Sequence, residues 1–198
     1  SSIIDQISPE IDWLGEARDT LRKLPSIDSS EPCIVVAGSP NVGKSALISS
    51  LSSGEPEIAA YPFTTKQLHL GHFIHRRRKY QMVDTPGLLD RPMSKRNNIE
   101  MQAIAALENI GDVLVFLIDS TANATTSLEE QMNLLEEVTG LISERPKIIV
   151  HSKSDLHEKE GLENKFGVSS ITGEGIEELR RTLAVSYTHL TLPTRIFV

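Results

Sequence analysis

The stretch Gly38-Ser39-Pro40-Asn41-Val42-Gly43-Lys44-Ser45 decides the fold of this chain. It has the spacing G-x-x-x-x-G-K-S, in which glycines let backbone N–H groups turn toward phosphate oxygens. The apolar run Ile34–Ala37 before it predicts a buried strand, and Ser45–Leu51 after it predicts a helix. A helix N-terminus that follows such a turn favours anions. We therefore predict a phosphate-binding loop, not a glycine-rich turn that matches the pattern by chance.

Strands and helices alternate on both sides of this loop, from Cys33 to about Ala184. The further predicted strands are Leu68–Phe73, Lys79–Val83, Val113–Asp119, Lys147–Val150 and a short strand that begins at Val168. The further predicted helices are Asn97–Leu107, Ser127–Leu141, a helix end at Glu163–Phe166, and Gly175–Leu183. This order predicts an α/β fold, a doubly wound and mostly parallel sheet with helices on both faces.

Composition narrows the class of protein. The chain has 198 residues, a formal net charge of −7 and one cysteine. A single cysteine excludes a disulfide framework, and no apolar run is long enough to span a bilayer. The acidic balance argues against coating of nucleic acid by bulk charge, although a local basic patch remains open. We expect a cytoplasmic chain without membrane contact.

The phosphate loop and the motif at Asp84 predict a separate role for each of their key residues. Lys44 is predicted to neutralise the β- and γ-phosphates, and Ser45 to supply a magnesium ligand. Asp84-Thr85-Pro86-Gly87 follows the strand Lys79–Val83, so Asp84 is placed to hold a magnesium-bound water. The Gly87 N–H is placed to point at the γ-phosphate.

A base-reading motif follows the strand Lys147–Val150. A carboxylate at Asp155 can accept hydrogen bonds from the ring N–H and the exocyclic amine of guanine, a donor pair that adenine lacks. Asp155 would therefore select GTP over ATP, with the Lys153 stem lying along the base. Ser169-Ser170-Ile171 would offer a backbone N–H to the guanine carbonyl. Ligands of such sheets bind at the carboxyl ends of the strands, where all these residues are predicted to lie.

The set resembles the motifs of translation-factor-class GTPases, and more closely the Nog-type nucleolar GTP-binding proteins, which are related to the Obg proteins. The resemblance rests on Leu24–Asp28, Tyr61–Lys66, Asp84–Pro92 and Arg96–Glu100 besides the motifs above. It covers about Trp13 to Ala184 and is nearest to the archaeal branch. It implies a P-loop GTPase domain that acts in assembly of the large ribosomal subunit, with the subunit precursor and its rRNA as partners. A eukaryotic member would be nucleolar.

The resemblance also assigns roles by position. Tyr61–Lys66 is the first switch, and Thr65 is the threonine that caps magnesium and the γ-phosphate, with Thr64 as the alternative. Asn41 matches an asparagine that helps related GTPases to bind potassium, the rival role being a loop hydrogen bond. Leu88 stands where Ras-like enzymes place a water-orienting glutamine, so slow intrinsic hydrolysis is expected.

Three sets of site residues result. The catalytic set is Lys44, Thr65, Gly87 and Asn41. The metal ligands are Ser45, Thr65 and Asp84. The residues expected to bind GTP or GDP are Pro40, Asn41, Val42, Gly43, Lys44, Ser45, Ala46, Ser152, Lys153, Asp155, Ser169, Ser170 and Ile171.

One residue departs from the family pattern. Ser152 replaces the asparagine that bridges guanine and the phosphate loop, which predicts an affinity weakened by about 1 kcal/mol. Ser152 and Leu88 favour an alternative function, a GTP-binding scaffold with negligible hydrolysis that docks on ribosomal particles. A related GTPase in tRNA modification or signalling is a further alternative. The oligomeric state is left open.

The ends of the chain are expected to differ from its centre. Ser8–Leu24 has a helical period, and the resemblance makes residues 1–31 the remnant of an N-terminal helical domain with its linker. Residues 32–184 are the predicted GTP-binding domain. Val185–Val198 shows no helical period to continue the preceding helix and resembles a translated sequencing adapter. We expect this tail to be non-native, the alternative being a natural C-terminal strand.

A basic run, His75-Arg76-Arg77-Arg78-Lys79, joins two predicted strands. It could contact rRNA phosphates. A solvated hairpin tip is the commoner explanation for such a run, and we favour it on sequence alone. Asp119, at the end of a buried strand, is expected to cap a turn or a helix.

Overall fold

The structure is a computed structural model and describes residues 27–60, 67–84, 86–87, 89–90, 101, 104, 108, 110–141, 145–156 and 166–191. Its strands are β1 (Cys33–Gly38), β2 (Glu57–Ala60), β3 (Gln67–His75), β4 (Arg78–Asp84), β5 (Val113–Ile118) and β6 (Lys147–His151). Its bounded helices are α1 (Lys44–Leu51), α2 (Leu128–Leu141) and α3 (Ile176–Thr191), and a 3₁₀ turn lies at Ser154–Leu156.

The six strands form one mixed sheet in the order β2-β3-β4-β1-β5-β6. β1 runs parallel to both β4 and β5, and β5 runs parallel to β6, whereas β2 and β4 are antiparallel to β3. The prediction of a mostly parallel, doubly wound sheet is confirmed. Because β1, β4, β5 and β6 point the same way, the residues that follow them meet at one edge of the sheet.

Two hydrophobic cores cover the two faces of this sheet. Every residue of β1 and β5 is buried, as expected of parallel strands with helices on both sides. Val35 packs in the core that contains Leu134 of α2. Its neighbour Ile34 packs in the core that contains Leu47 of α1 and Leu179 of α3. The strands at the centre are thereby held rigidly, and they position the loops at their ends.

Two short strands differ from the sequence-based prediction. The strand expected at Val168 is wrong, since only an isolated parallel bridge joins His151 to Gly167. The chain turns at once, because the Ser169 N–H donates to the Glu174 carbonyl at 3.0 Å. β2 was not predicted. It has four residues, and among the described strands it pairs only with β3, so pairing and not local pattern makes it a strand.

The last helix is longer than predicted. α3 does not end at Leu183 but continues to Thr191, so the expectation that Val185–Thr191 breaks the helical run is wrong. Extending a formed helix by one residue adds a hydrogen bond without a new nucleation step. Tyr187 also packs edge-on against Tyr80, with ring centroids 6.2 Å apart. Residues 192–198 lie outside the described residues, and a non-native origin of the tail stays a prediction.

Other predicted elements fall wholly or partly on residues that are not described. The helix Ser8–Leu24 and most of Glu163–Phe166 are among them. Within Asn97–Leu107, Met101 and Ile104 are helical, and Ile104 joins the α2 core. In the described part of the chain, no helix combines the length and apolarity needed to cross a membrane.

Candidate functional site

The loop between β1 and α1 has the backbone of an anion cradle. Gly38 and Gly43 have φ of 143° and 102°, and Asn41 has φ 61°. α1 begins without a side-chain cap and without an acidic residue in its first turn. Its first N–H groups and the positive end of its dipole are therefore not neutralised by the helix's own side chains. Pro40, Asn41, Ser45 and Ala46 are exposed along the rim of this loop.

Lys44 lies buried inside the loop. Its Nζ donates to the carbonyl oxygens of Gly38 and Ser39 at 2.8 and 2.9 Å. Burial lowers the pKa of the Lys44 ammonium, while the carboxylates of Asp84 and Asp90 act in the opposite direction. The ammonium is thus held by two neutral carbonyls at the base of the cradle. A phosphate oxygen would be a stronger acceptor for it.

Asp84 ends β4 directly beside the start of α1. It pairs in register with Val36 of β1, and it is fully buried. Ser45 Oγ donates to Asp84 Oδ2 at 2.5 Å, and His69 Nδ1 lies 3.5 Å from the same oxygen. Asp84 Oδ1 is buried without a hydrogen-bond partner among the described residues. An orphaned carboxylate oxygen next to a hydroxyl is a donor set that fits a hard divalent cation such as Mg²⁺.

The Gly87 N–H, predicted to meet a γ-phosphate, contacts a carboxylate in this structure. It donates to Asp90 Oδ2 at 2.8 Å, and Gly87 has φ 74°. Asp90 Oδ1 is buried without a hydrogen-bond partner in the described part of the chain. Asp90 therefore occupies the donor that a γ-phosphate would need. Sequence reasoning missed this residue, although its position three residues after Gly87 is within reach of a turn contact.

We expect Asp90→Ala to favour nucleoside triphosphate over diphosphate. The carboxylate competes for the Gly87 N–H only when a γ-phosphate is present, so its removal should raise the affinity for a non-hydrolysable GTP analogue about fivefold, or ~1 kcal/mol. The affinity for GDP should stay the same. Titration of both nucleotides measures the ratio.

Asp90→Asn is the matched control, because its amide oxygen can still accept the Gly87 N–H. It should change the analogue-to-GDP ratio less than Asp90→Ala does. An unchanged ratio in Asp90→Ala would contradict competition at Gly87.

The predicted base motif follows β6 in an unusual backbone conformation. Lys153 has φ 57°, which is uncommon for a residue with a side chain. Its Nζ lies 2.5 Å from Asp119 Oδ2. Burial acts to raise the pKa of Asp119, but hydrogen bonds from Lys153 and Thr121 outweigh it and lower the pKa. Asp119 also accepts from the Thr121 N–H at 2.9 Å, so the expected turn cap is confirmed.

A second set of contacts joins the base motif to the loop before α3. Ser154 Oγ donates to Glu174 Oε2 at 2.7 Å. Ser169 is fully buried, and its Oγ accepts from the Ile171 N–H at 3.3 Å. Since the Ser169 and Ile171 N–H groups bond within the loop, the Ser170 N–H is the one without a partner among the described residues. Ser170 is therefore the best placed of the three to meet a guanine carbonyl.

Ser152 lies at the point where the family pattern has asparagine. It is 4% exposed, and its Oγ donates to the Ile118 carbonyl of β5 at 3.3 Å. This hydroxyl is directed at the sheet and not at the phosphate loop.

We expect Ser152→Asn to raise GTP affinity about fivefold, by roughly 1 kcal/mol, because the longer amide can bridge base and loop. Isothermal titration checks this, with the melting temperature as a control for folding. A folded variant with unchanged affinity would contradict the role assigned to this position.

The structure brings most of the predicted residues to the carboxyl edge of the sheet. Pro40–Ala46 follow β1, Asp84 ends β4, and residues 152–155 follow β6. Thr65, Thr64 and the rest of Tyr61–Lys66, together with Leu88, lie outside the described residues. The contacts of the predicted motifs with His69, Asp119 and Glu174 were not predicted, because each of them joins separate segments of the chain. Asp90 was missed as well, although it lies only three residues from Gly87.

Relatives of known sequence match most of the chain. A nucleolar GTP-binding protein 1 from Encephalitozoon cuniculi is 40% identical over 86% of this chain. An uncharacterized protein from Methanocaldococcus jannaschii is 43% identical over 80% of it. The chain spans 32% and 44% of the lengths of these two relatives. It therefore corresponds to one part of each.

A solved structure and a family model agree with these matches. A crystal structure of a nucleolar GTP-binding protein 1 from Plasmodium falciparum superposes with a TM-score of 0.72 at 32% identity, covering 84% of this chain and 91% of the other. The model of the family described as 50S ribosome-binding GTPase matches residues 33–153. The phosphate loop, Asp84, Ser152 and Lys153 thus lie within a GTPase domain, and the chain belongs to the 50S ribosome-binding GTPase family, among the Nog-type nucleolar GTP-binding proteins.

Proposed function

We propose that this chain binds GTP with magnesium and hydrolyses it slowly, as a switch in assembly of the large ribosomal subunit. The observation that carries the proposal is the contact between Ser45 and Asp84, 2.5 Å apart at the start of α1. The free Asp84 Oδ1 beside it supplies a further oxygen ligand. An oxygen pair behind a phosphate cradle has the chemistry of a nucleotide–metal site.

Each residue of the proposed site has its own part in GTP binding and hydrolysis. Ser45 and Asp84 would hold magnesium, which supplies charge neutralisation on the phosphates when bound. Lys44 would exchange the carbonyls of Gly38 and Ser39 for phosphate oxygens. The Gly87 N–H would leave Asp90 for the γ-phosphate, a change that ties the loop after β4 to nucleotide state. Thr65 would complete the metal site from the first switch.

Slow hydrolysis follows from the side chain at position 88. Leucine has no group to orient or polarise the attacking water, so another charge has to stabilise the transition state. We propose that Asn41 helps to hold a potassium ion beside the phosphates. In support, its left-handed backbone places it on the exposed rim of the loop.

The preference for GTP over ATP tests which nucleotide the chain binds. Asp155 is exposed in the 3₁₀ turn after β6, so its carboxylate is available to a base. We expect Asp155→Ala to lose about 2 kcal/mol of GTP affinity, some 30-fold, with little change for ATP. Competition titrations against a fluorescent nucleotide measure both. Equal losses for GTP and ATP would refute the assignment.

A second function is favoured by two residues. With Leu88 in place of glutamine and the Ser152 hydroxyl bonded to β5, the chain would be a GTP-gated scaffold with negligible turnover. Single-turnover hydrolysis in potassium and in sodium separates the two functions. A rate that rises in potassium supports the switch, whereas no hydrolysis in either salt supports the scaffold.

The ribosomal partner is proposed from the family and the names of its members. We expect the chain to sediment with large-subunit precursors in the presence of a GTP analogue more than with GDP. Equal sedimentation in both states would contradict a nucleotide switch. The chain would be located where the particle is assembled, which is the cytoplasm in a cell without a nucleus and the nucleolus in a eukaryotic cell.

A further inference from the structure

The hairpin between β3 and β4 turns on two arginines. His75 pairs with Arg78 across the hairpin, which leaves Arg76 and Arg77 as a two-residue loop. Their φ angles are 48° and 66°. Positive φ at both central positions defines a type I′ turn, for which Asn-Gly is strongly preferred because a bulky side chain crowds this backbone. Arg76 and Arg77 are therefore energetically unfavourable residues for the turn that they form.

Nothing in the described fold offsets this strain. Arg76 and Arg77 are exposed, and neither takes part in a hydrogen bond or ion pair among the described residues. The residues that follow are held, since Arg78 donates to Tyr187 Oη at 3.0 Å and Lys79 lies 3.4 Å from Glu31. Backbone strain without a local compensation is characteristic of functional positions.

The surface beside the turn is positively charged. A recess at this end of the hairpin is lined by His75, Arg76, Arg78 and Arg181, and also by residues of the tail expected to be non-native, Val185 and Thr188. The basic residues all lie outside that tail, and the lining residues include no aspartate or glutamate. The chain as a whole carries a net charge of −7. A patch free of carboxylates on an acidic protein concentrates positive potential at one place.

This patch is separate from the nucleotide site. β4 runs from Arg78 at the turn to Asp84 at the carboxyl edge, which corresponds to about 20 Å of extended chain. A ligand at the turn would leave the phosphate loop open. Nucleotide binding can therefore serve as an internal control in any test of the patch.

We propose that the tip formed by Arg76 and Arg77, with Arg181 beside it, binds the phosphate backbone of duplex RNA. Guanidinium groups pair with phosphate oxygens in bidentate fashion. A protruding two-residue tip presents two of them without a competing carboxylate. The choice of RNA over another polyanion rests on the proposed ribosomal function.

The decisive variant is Arg76→Asn with Arg77→Gly, because stability and binding should move in opposite directions. Asn-Gly suits the turn, so the melting temperature should rise by about 2–6 °C. Loss of two phosphate contacts should weaken binding of a labelled RNA duplex of about 20 base pairs by roughly 25- to 60-fold at 0.1 M salt. The slope of log affinity against log salt should become shallower by about 1.4–1.8.

Two controls test whether positive charge at the tip carries the effect. Arg76→Lys with Arg77→Lys keeps both charges and should retain the salt slope. Arg145→Gln with Lys147→Gln removes two charges at the start of β6 and should change RNA affinity less than threefold. GTP affinity should be unchanged in all three double variants.

The outcomes distinguish this inference from the proposed function. The RNA contact would be overturned if the Asn-Gly variant bound RNA with wild-type affinity, or if the wild-type chain bound no RNA at low salt. It would also be overturned if the Asn-Gly variant lost binding to phosphatidylserine vesicles but kept its binding to RNA. In each case sedimentation with ribosomal particles and guanine selectivity would still decide the proposed function. Conversely, RNA binding by the tip with no GTP binding would leave this inference standing and refute the switch.

Discussion

Lys44→Ala is expected to abolish detectable GTP hydrolysis and to weaken GTP binding by at least about 100-fold. The Lys44 ammonium is buried at the base of the loop, held by the carbonyls of Gly38 and Ser39. A bound phosphate would accept hydrogen bonds from this ammonium in a site where solvent screens the charge little. Two such charge-assisted hydrogen bonds are together worth about 3–5 kcal/mol. Titration with GTP and a single-turnover assay measure the two effects.

Lys147→Ala is the control for Lys44→Ala. Lys147 is the exposed first residue of β6, so its truncation removes the same charge without touching the loop. It should leave GTP affinity within about twofold, since exposed charges contribute little. If Lys44→Ala bound GTP within fivefold of the wild-type affinity while folded, the role predicted for Lys44 would be wrong.

Gly38→Ala should destabilise the domain by about 3 kcal/mol or more, lowering the melting temperature by roughly 6–12 °C. Gly38 has φ 143°, which side-chain-bearing residues rarely adopt, and an added Cβ would lie 2.6 Å from the Leu117 carbonyl oxygen of β5. A shift of β1 or β5 would disturb packing on two sides, because both strands are buried on both faces. Thermal unfolding followed by circular dichroism measures the loss.

The same substitution at Gly140 should have the opposite sign. Gly140 lies in α2, and an added Cβ would meet nothing within 4 Å. Alanine there should stabilise the protein by up to about 1 kcal/mol, because glycine is a poorer helix former than alanine. A comparable loss of stability in both variants would mean that crowding at Gly38 is not the cause.

Much of the candidate site could be predicted because its residues are close in the chain. The eight residues Gly38–Ser45 contain the turn, the lysine and the hydroxyl in one run, and glycine spacing alone reports the backbone they need. The predicted roles of Lys44, Ser45 and Asp84 remain open to the tests above. Their placement at one sheet edge follows from the parallel direction of β1 and β4.

The contacts that adjust this site could not be predicted in the same way. Lys153 meets Asp119 across 34 positions of the chain, and His69 meets Asp84 across an antiparallel strand pair. Local pattern indicates that Asp119 ends a strand, but it does not say which side chain of the neighbouring strand will reach it. Such pairs depend on strand order and register, which are properties of the assembled sheet.

By itself, the sequence determined the fold class, the phosphate loop and the order of the predicted motifs, because periodicity and glycine spacing act over a few neighbouring residues. Only the tertiary structure decided that Glu57–Ala60 is a strand, that α3 continues to Thr191 and that Asp90 holds the Gly87 N–H. It also decided that Arg76 and Arg77 form a strained turn. For the strand, the helix and the turn, a partner distant in the chain or the register of a strand pair outweighs the local preference of the residues involved. The Asp90 contact spans only three residues, but the sequence pattern does not specify the turn conformation that brings the two groups together.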